Sequence, residues 1–384
     1  MASLPPCKNG NKETRLKAWP VVGIVLMQGF LTLAQWFVDH TWIAFWDPLT
    51  PAQSLTLRGA ALALSLSFVT AALLGFHFSN PLVSLLYKFA AVWLGLLNFF
   101  FWAACLCWLA AITASLLRLP PHRPEIAATL FSLAALAALY GAVNAYWIRV
   151  RRITVKLENL PDAWRGRTAL VVSDLHLGHI NGVAFCRRVV AMAAKLKPDA
   201  VFLPGDLFDG MKAGAHKLAA PFRELRAPFG LYFSTGNHDE FGGADHYAEI
   251  LRQNGIRVLN KEKVTVDGLQ IAGVPFGDAA YPMRLKAMLD GLHLDRGRAC
   301  ILLNHVPNRL SIVEQAGVGL QLSGHTHGGQ IFPFTWLTRR VFGRYTYGLQ
   351  RFGALQVLTS SGAGTWGPPM RVGTQPEMVL LRFA

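Results

Sequence analysis

The first 148 residues of this chain hold little charge, with only eight Lys or Arg and four Asp or Glu. Four apolar stretches there contain no charged residue: Val21 to Val38, Gly59 to Phe78, Phe89 to Leu117 and Ile126 to Ile148. About 20 such residues cross the hydrocarbon core of a bilayer as a helix, whereas buried helices of soluble proteins normally keep a polar face. This lack of charge excludes an ordinary soluble domain and predicts four transmembrane helices in residues 1–148.

Cysteine is also scarce. The five cysteines are Cys7, Cys105, Cys107, Cys186 and Cys300. They form no CxxC pair and offer no disulfide framework, which suits a reducing compartment. Cys105 and Cys107 fall within a predicted helix, where residues two apart point in different directions. We therefore expect these two to pack in the helix and not to bind a metal.

A cleavable leader is not indicated either. No small-residue cleavage site follows the first apolar stretch, where Asp39 and His40 come next, and no twin-arginine pair precedes it. We expect this stretch to be a retained anchor.

The Lys and Arg residues beside the four predicted helices are unevenly distributed. The side of the amino terminus has eight, namely Lys8, Lys12, Arg15, Lys17, Lys88, Arg149, Arg151 and Arg152. The opposite side has three, namely Arg58, Arg118 and Arg123. Because positive loops stay in the cytoplasm, this distribution predicts a multi-pass protein of the inner (cytoplasmic) membrane with residues 149–384 in the cytoplasm.

Short motifs containing Asp, Asn and His recur in residues 149–384. They are Ser173-Asp174-Leu175-His176, Gly205-Asp206-Leu207-Phe208-Asp209, Gly236-Asn237-His238-Asp239, Asn304-His305 and Gly324-His325-Thr326-His327. Imidazole nitrogens and carboxylate or amide oxygens are ligands that first-row metals accept. In an Asp-x-His motif at a strand end, residues i and i+2 point to the same side and can hold one ion together. The candidate metal ligands are Asp174, His176, Asp206, Asn237, His305, His325 and His327.

Most of these motifs follow an apolar run with the length of a buried strand. The runs are Ala169 to Val172, Ala200 to Leu203, Leu231 to Phe233, Ile301 to Leu303 and Gly319 to Leu322. Helical apolar spacing lies between them in Val183 to Leu196, His216 to Leu225 and Asp245 to Asn254, and Asp267-Gly268 marks a hairpin turn. The pattern predicts an α/β domain with the ligands at the carboxyl ends of strands.

The five motifs, in this order, resemble those of the calcineurin-like metallophosphoesterase superfamily over about Ile153 to Ala384. The segments Ser173 to His179, Gly324 to Gln330 and Ser360 to Gly367 are similar to the bacterial membrane-associated branch of that superfamily. The resemblance implies a β-sandwich flanked by helices. We therefore expect an α-helical membrane domain in residues 1–148 and an α/β calcineurin-like phosphoesterase domain in residues 149–384.

The resemblance also implies two divalent metal ions. One would be held by Asp174, His176, Asp206 and His327, and the other by Asp206, Asn237, His305 and His325. Two such cations can clamp an in-line displacement at phosphorus and activate a water molecule. The mixed ligands favour manganese in our interpretation, with iron, zinc or magnesium as alternatives.

His238 follows a ligand without being one in the family, so the resemblance makes it the group that protonates the leaving oxygen. Asp209 would orient its imidazole and favour the charged form, with Asp239 as the rival partner. His179 belongs to the family-like signature and allows two interpretations: it contacts substrate, or it caps a helix. We expect His216, His246 and His293 to lie on the surface.

Residues 149–384 carry 29 basic and 18 acidic residues, so this part attracts polyanions. No nucleic-acid-binding module is present, and Arg149, Arg151 and Arg152 directly follow the last apolar stretch. We therefore expect the anionic partner to be the lipid bilayer, not nucleic acid. The basic and aromatic segment from Ile331 to Arg344 either contacts a lipid phosphate or packs against the membrane helices.

These observations predict a membrane-anchored phosphoesterase that hydrolyses a phosphoester or pyrophosphate of a lipid-linked substrate. Similarity to membrane-bound UDP-2,3-diacylglucosamine pyrophosphatases suggests one such substrate, although fold alone does not determine it. The alternative enzyme is a phosphodiesterase of soluble nucleotides whose helices are only an anchor. A transporter or sensor is less compatible with the sequence, because the predicted spans lack the charged residues that a transport path usually needs.

Overall fold

The computed structural model of the protein describes residues 10–46, 49–120, 122–211 and 214–384, with only the backbone described for residues 10–20. Cys7 and Lys8, which enter the predictions above, lie outside these residues. The chain divides into two compact units. The first comprises Met1–Leu74 and Phe89–Leu136, and the second comprises Gly75–Lys88 and Ala137–Ala384. The domain boundary at residue 148 stays a prediction.

Four long apolar helices come first in the chain. They are α1 (Gly10–Phe45), α2 (Pro51–His77), α3 (Pro81–Leu116) and α4 (Arg123–Tyr146). All four are long and apolar enough to cross a membrane, the first of them over Val21–Phe45. The prediction of four such helices is confirmed.

Two details of the predicted spans were wrong. The first span continues past Val38 to Phe45 and therefore includes Asp39 and His40, so the spans are not free of charge. Helix α4 ends at Tyr146, and the basic residues Arg149–Arg152 begin a strand. The first error arose because a helix continues as long as its backbone hydrogen bonds do, whatever the polarity of single side chains.

Two buried polar side chains of the first unit, Gln35 and Thr41, accept hydrogen bonds from tryptophans. The indole N–H of Trp93 donates to Gln35 at 3.0 Å, and that of Trp108 donates to Thr41 at 2.9 Å. Cys107 is buried among apolar side chains, and the four described cysteines are free. This agrees with a packing role for Cys105 and Cys107.

The second unit contains two six-stranded sheets. The strands are β1 (Arg149–Val155), β2 (Thr168–Val171), β3 (Ala200–Pro204), β4 (Leu231–Ser234), β5 (Arg257–Val258), β6 (Glu262–Val266), β7 (Leu269–Val274), β8 (Cys300–Asn304), β9 (Leu320–Ser323), β10 (Gly348–Phe352), β11 (Leu355–Thr359) and β12 (Glu377–Phe383). Their order is β1-β12-β2-β3-β4-β5 in one sheet and β10-β11-β9-β8-β7-β6 in the other. In the first sheet β2, β3 and β4 run parallel, and in the second β7, β8 and β9 do.

Shorter helices accompany the sheets. They are α5 (Val183–Leu196), α6 (Ala215–Ala219), α7 (Asn237–Phe241), α8 (Ala244–Gln253), α9 (Phe276–Ala279), α10 (Pro282–Gly291), α11 (Leu310–Gln315) and α12 (Phe334–Phe342). Helix α5 has the predicted bounds, whereas the segment from His216 to Leu225 is divided between α6 and a 3-10 turn. Pro221 explains this division, because proline removes a helical hydrogen bond.

The core of the second unit lies between the two sheets and on their outer faces. Val171 and Phe202 of the first sheet pack in one cluster with Ile301 and Leu320 of the second. A further cluster joins the first sheet to α5 and α8, and another joins the second sheet to α10 and α11. This sandwich of sheets flanked by helices confirms the predicted α/β fold and places the carboxyl ends of β2, β3, β4, β8 and β9 near one another.

Candidate metal centre

Each candidate ligand follows a strand of one of the two sheets. Asp174 and His176 follow β2, and Asp206 follows β3. Asn237 begins α7 after β4, His305 follows β8, and His325 and His327 follow β9. The loops that carry them leave the strands at their carboxyl ends, where open α/β sheets bind ligands.

Five of the seven candidate ligands have a left-handed backbone. The φ angles are 52° for Asp174, 46° for His176, 51° for Asp206, 68° for His325 and 48° for His327. A residue with a Cβ atom pays roughly 1–2 kcal/mol for this conformation. Strained backbone conformations of this kind are common at functional sites, where the surrounding fold enforces them. Here the left-handed conformation turns the five side chains toward a common centre.

Three of the side chains form a first group, Asp174, His176 and His327, whose potential ligand atoms all lie within 4.8 Å of one another. The Nε2 atoms of His176 and His327 are 3.0 Å apart, and Oδ1 of Asp174 lies 3.6 Å from Nε2 of His327. Asp174 and His176 are almost completely buried. Burial and the neighbouring His176 lower the pKa of His327, so this imidazole is neutral, the form that binds metals.

A second group consists of Asp206, His305, His325 and Asn237, and the carboxylate of Asp206 also lies near His176 of the first group. Oδ2 of Asp206 lies 3.0 Å from Nε2 of His305 and 3.8 Å from Nε2 of His176. Nδ1 of His325 lies 3.0 Å from the amide oxygen of Asn237. Burial and the neighbouring His305 lower the pKa of His325 to about 3. Asp206 is therefore placed between the two groups, as a shared ligand would be.

The orientation of His305 tests whether these residues fit a cation. Its Nδ1 lies 2.8 Å from the carbonyl oxygen of Pro204, which can only accept a hydrogen bond. The ring therefore carries a proton on Nδ1 and turns Nε2 toward the carboxylate of Asp206. The carboxylates of Asp206 and Asp174 raise the pKa of His305 to about 10, so in the absence of a metal a second proton, on Nε2, lies between the ring and Asp206. A divalent cation bound between Nε2 and the carboxylate would replace that proton. The donor set thus fits divalent metal ions.

Two glycines in the motifs are required by close packing at this centre. A Cβ atom on Gly324 would lie 2.0 Å from Oδ2 of Asp174, and one on Gly236 would lie 2.2 Å from Oδ1 of Asp206. Neither distance is tolerable for a side chain. These glycines let the backbone of one loop approach the ligand of another.

Asp239 supports the backbone of the centre. Its carboxylate accepts hydrogen bonds from the N–H groups of Asp206 at 2.7 Å, Gly236 at 2.9 Å and Phe208 at 3.0 Å. These bonds tie the loop after β3 to the start of α7. Asp239 is therefore engaged with backbone groups and is not aimed at the ring of His238.

Asp209 lies between two histidines. Its Oδ1 is 3.2 Å from Nδ1 of His176, within hydrogen-bonding distance, and 3.6 Å from Nδ1 of His238. Burial and the neighbouring His176 lower the pKa of His238 to about 4. The ring of His238 is therefore neutral at pH 7 in this arrangement, which differs from the expected charged form. The nearest bond of Asp209 is to a candidate ligand, so the orientation of His238 by Asp209 stays a prediction.

Both ring nitrogens of His179 have partners outside the set of candidate ligands. It is buried, with Nδ1 2.9 Å from the hydroxyl of Ser84 and Nε2 3.3 Å from the carbonyl oxygen of Gly75. The ring of Tyr87 packs against it, with the ring centroids 5.2 Å apart. His179 thus joins the turn between α2 and α3 to the loop that carries Asp174 and His176. Nothing in the sequence marked Ser84 or Tyr87 as part of this site.

Arg371 was also missed by the sequence patterns. It is completely buried, and its guanidinium donates to the carbonyl oxygens of Ser361 and Gly364 at 2.7 Å each. A third bond, of 3.2 Å, goes to the carbonyl oxygen of His327. The residue lies in an irregular segment without hydrophobic periodicity, so no local signal distinguishes it from a surface arginine.

Comparisons with known proteins agree with this geometry. The calcineurin-like phosphoesterase family model matches residues 167–329. An uncharacterized metallophosphoesterase of Aquifex aeolicus is 31% identical over 65% of this chain and 97% of its own length. One of Bacillus subtilis is 30% identical over 62% of this chain and 86% of its own length.

A transmembrane protein with metallophosphoesterase domain from Danio rerio is 31% identical over 64% of this chain. The match spans 60% of the length of that relative. The name of that relative combines a membrane region with a metallophosphoesterase domain. From the motifs, the fold and these similarities, the chain belongs to the calcineurin-like phosphoesterase family.

Proposed function

We propose that this protein hydrolyses a phosphoester or pyrophosphate bond of a lipid-linked substrate. The observation that carries the proposal is a cavity of about 620 Å³ that opens beside His325. Its apolar lining is Phe276, Ala280, Val306, Pro307, Leu310, Val341, Phe342 and Phe352. A lining of this kind accommodates hydrocarbon next to the phosphate that reacts.

Seven residues would hold the two metal ions. Asp174, His176, Asp206 and His327 would hold one, and Asp206, Asn237, His305 and His325 the other. Bound there, divalent cations supply Lewis-acid polarisation of the phosphoryl group and lower the pKa of a coordinated water. Manganese is the metal we favour for this set of imidazole, carboxylate and amide ligands, before iron, zinc and magnesium.

His238 is the group we assign to the leaving oxygen. It is partly exposed and stands beside both His176 and Trp366, with ring centroids 4.7 and 5.8 Å away. Its Nδ1 faces Asp209, so Nε2 is the atom left to exchange a proton with the leaving group. Because the neutral ring has no proton on Nε2, His238 would first take one from solvent, and Asp209 would stabilise the imidazolium that then protonates the leaving oxygen.

The membrane part supports a substrate that resides in the bilayer. Four apolar helices adjoin the phosphoesterase domain in the chain, and the uneven distribution of Lys and Arg favours a cytoplasmic active site. UDP-2,3-diacylglucosamine is a specific candidate because it combines two acyl chains with a pyrophosphate. The lipid class is the main proposal and this compound is the first example to test.

A second candidate substrate is a soluble nucleotide diester. The same cavity also contains Asn308, Arg309 and Ser311, together with the aromatic ring of Tyr345. Such polar and aromatic groups can bind a phosphate and a base. In this case the four helices would act only as an anchor.

The proposal is tested with the full-length protein in detergent, loaded with Mn²⁺. Lipid-linked phosphates, including UDP-2,3-diacylglucosamine, are compared with a soluble aryl diester in mixed micelles, and Asp206→Asn is run in parallel. A kcat/KM at least tenfold higher for a lipid substrate supports the main proposal. Activity confined to soluble diesters replaces it with the second candidate, and activity that persists in Asp206→Asn contradicts both.

A further inference from the structure

Helix α12 (Phe334–Phe342) covers part of the domain surface but buries none of its own side chains. Trp336, Leu337 and Val341 are 58%, 50% and 67% exposed. Phe332 and Phe334, at the start of the segment, are also about half exposed, at 52% and 49%. Contiguous exposed apolar side chains of this size mark an interaction surface, not an ordinary solvent-facing helix.

The inner side of α12 is closely packed, which defines the outward direction. A Cβ atom on Gly329 would lie 2.3 Å from Cα of Thr335, so the helix rests directly on the loop after His327. At its other end the ring of Phe342 lies against His325, with the centroids 6.0 Å apart. The side chains of Trp336 and Leu337 project away from these contacts.

The last turns of α4 lie beside α12 within the second unit. Tyr140 of α4 lines a cavity of about 780 Å³ together with Thr335 and Arg339 of α12. The amide of Asn144 donates to the carbonyl oxygen of Thr374 at 2.8 Å, and Thr374 lines the same cavity. Helix α12 therefore lies at the level of the carboxyl end of a predicted membrane span.

Aromatic residues identify this level as a membrane interface. Tyr146, which ends the span, and Trp147, which follows it, are 71% and 67% exposed. Exposed Tyr and Trp at the end of a span typically lie among lipid headgroups. Because α12 starts beside Tyr140, less than two turns before that end, its outer face is at headgroup depth.

The charge of the segment matches an anionic leaflet. Residues 331–353 contain four arginines, Arg339, Arg340, Arg344 and Arg351, and no Asp or Glu. The guanidinium of Arg340 lies over the ring of Trp336, 5.1 Å from its centroid. By helical spacing Arg340 lies on the same face as Trp336 and Leu337, where its long side chain can extend to the lipid headgroups while its stem covers the ring of Trp336. A helix that exposes Trp, Leu and Arg has the composition of helices that lie in the interface plane.

We propose that α12 is an interfacial helix that inserts Trp336, Leu337 and Val341 into the anionic leaflet beside the end of α4. Its Val341 and Phe342 also line the cavity beside His325, so the helix connects the leaflet to the metal centre. A lipid substrate would then reach the centre along α12 without crossing water. That last step rests on the proposed function, whereas the insertion itself does not.

The insertion is tested by photo-crosslinking in nanodiscs that contain phosphatidylethanolamine and phosphatidylglycerol in a 3:1 ratio. A benzophenone amino acid replaces Leu337 in the full chain, and a matched variant carries it at Met283, an apolar residue of α10 that is 79% exposed. We expect lipid adducts at position 337 with at least about tenfold higher yield than at position 283. Equal yields at both positions, or none at 337, overturn the proposal.

A second measurement separates insertion from activity. Leu337→Asp is compared with Met283→Asp on a vesicle-borne substrate and on a soluble aryl diester. We expect the Leu337→Asp variant alone to lose at least about tenfold in kcat/KM on the vesicle-borne substrate, with the soluble reaction unchanged. Equal losses for both variants overturn a specific role of α12. If no lipid substrate is hydrolysed at all, the proposed function fails while the crosslinking result still decides whether α12 is inserted.

Discussion

Arg371 connects the end of a predicted membrane span to a candidate metal ligand, His327. Its backbone N–H donates to the carbonyl oxygen of Gly141 in α4 at 2.9 Å, and its guanidinium donates to the carbonyl oxygen of His327 at 3.2 Å. Arg371 thus links the last turns of α4 to the loop that carries His327. The guanidinium of Arg371 supports the backbone of His327, and α4 helps to hold the backbone of Arg371 in place.

Replacing Arg371 with Leu should destabilise the second unit. The carbonyl oxygens of Ser361 and Gly364 would lose their charged donor inside the protein, at roughly 1–3 kcal/mol for each. We expect a lower temperature of thermal unfolding in detergent and weaker metal binding. The control, Arg165→Leu, removes an exposed arginine and should change stability by less than about 0.5 kcal/mol. Unchanged unfolding of Arg371→Leu would show that these bonds are dispensable.

Asp206→Asn should reduce the metal content at both groups and abolish turnover. The carboxylate lies 3.0 Å from Nε2 of His305 and 3.8 Å from Nε2 of His176, so it is common to the two groups. Changes in the partners of metal ligands already cost about 10–100-fold in affinity, and loss of a shared ligand should cost more. Bound metal is measured by mass spectrometry. Asp290→Asn, at an exposed position on α10, should keep two metals, and retention of both in Asp206→Asn would refute a shared ligand.

His238→Ala should keep the metals and slow catalysis by about 10²–10⁴-fold, the usual contribution of a positioned proton donor. The physical reason is that His238 borders the centre without belonging to the proposed ligand sets. Metal content and kcat are measured on the same preparation. His246→Ala removes an exposed histidine and should leave both unchanged. Metal loss in His238→Ala would instead make His238 a ligand.

His179→Ala should lower stability and leave substrate binding unchanged. The ring has partners on both nitrogens, Ser84 and Gly75, and is 5% exposed, so little of it is available to substrate. Ser84→Ala removes one of these bonds and should reproduce part of the effect, about 1 kcal/mol. Thermal unfolding and KM for a soluble diester are compared among the three proteins. A large rise in KM without loss of stability would establish the substrate-contact interpretation.

Chelation should lower the unfolding temperature of the wild-type protein and remove its activity. Without cations the buried carboxylates of Asp174 and Asp206 lose their compensating charge, and a ligand that binds only the folded state stabilises it. Mn²⁺, Fe²⁺, Zn²⁺ and Mg²⁺ are then added back separately, and we expect Mn²⁺ to restore the highest kcat. The Asp206→Asn variant should show no comparable stabilisation by metal. A wild-type unfolding temperature that is insensitive to chelation would contradict a buried metal centre.

The sequence indicated the seven candidate ligands because the information that marks them is local. In Asp174-Leu175-His176 the ligands are two residues apart and follow an apolar run, so residue type and spacing alone indicate a strand end with ligands. The four long apolar helices were predicted for a similar reason, because a helix that crosses the hydrocarbon core of a bilayer needs an uninterrupted apolar stretch. These features depend on neighbouring residues.

The three-dimensional structure was needed for contacts between residues that are far apart in the chain. Ser84 and His179 are 95 residues apart, and Gly141 and Arg371 are 230 apart, with no periodicity to mark any of the four. Asp209 is similar: its motif names it, but only the folded loops show it closer to His176 than to His238.

The sequence by itself determined the apolar spans, the strand-and-helix alternation and the identity of the seven candidate ligands, because hydrophobicity and residue spacing act over a few residues. Tertiary structure decided which of these side chains meet, which buried groups support them, and that α12 keeps its apolar side exposed. Those outcomes depend on packing between distant segments, where burial and hydrogen-bond satisfaction are properties of the whole fold.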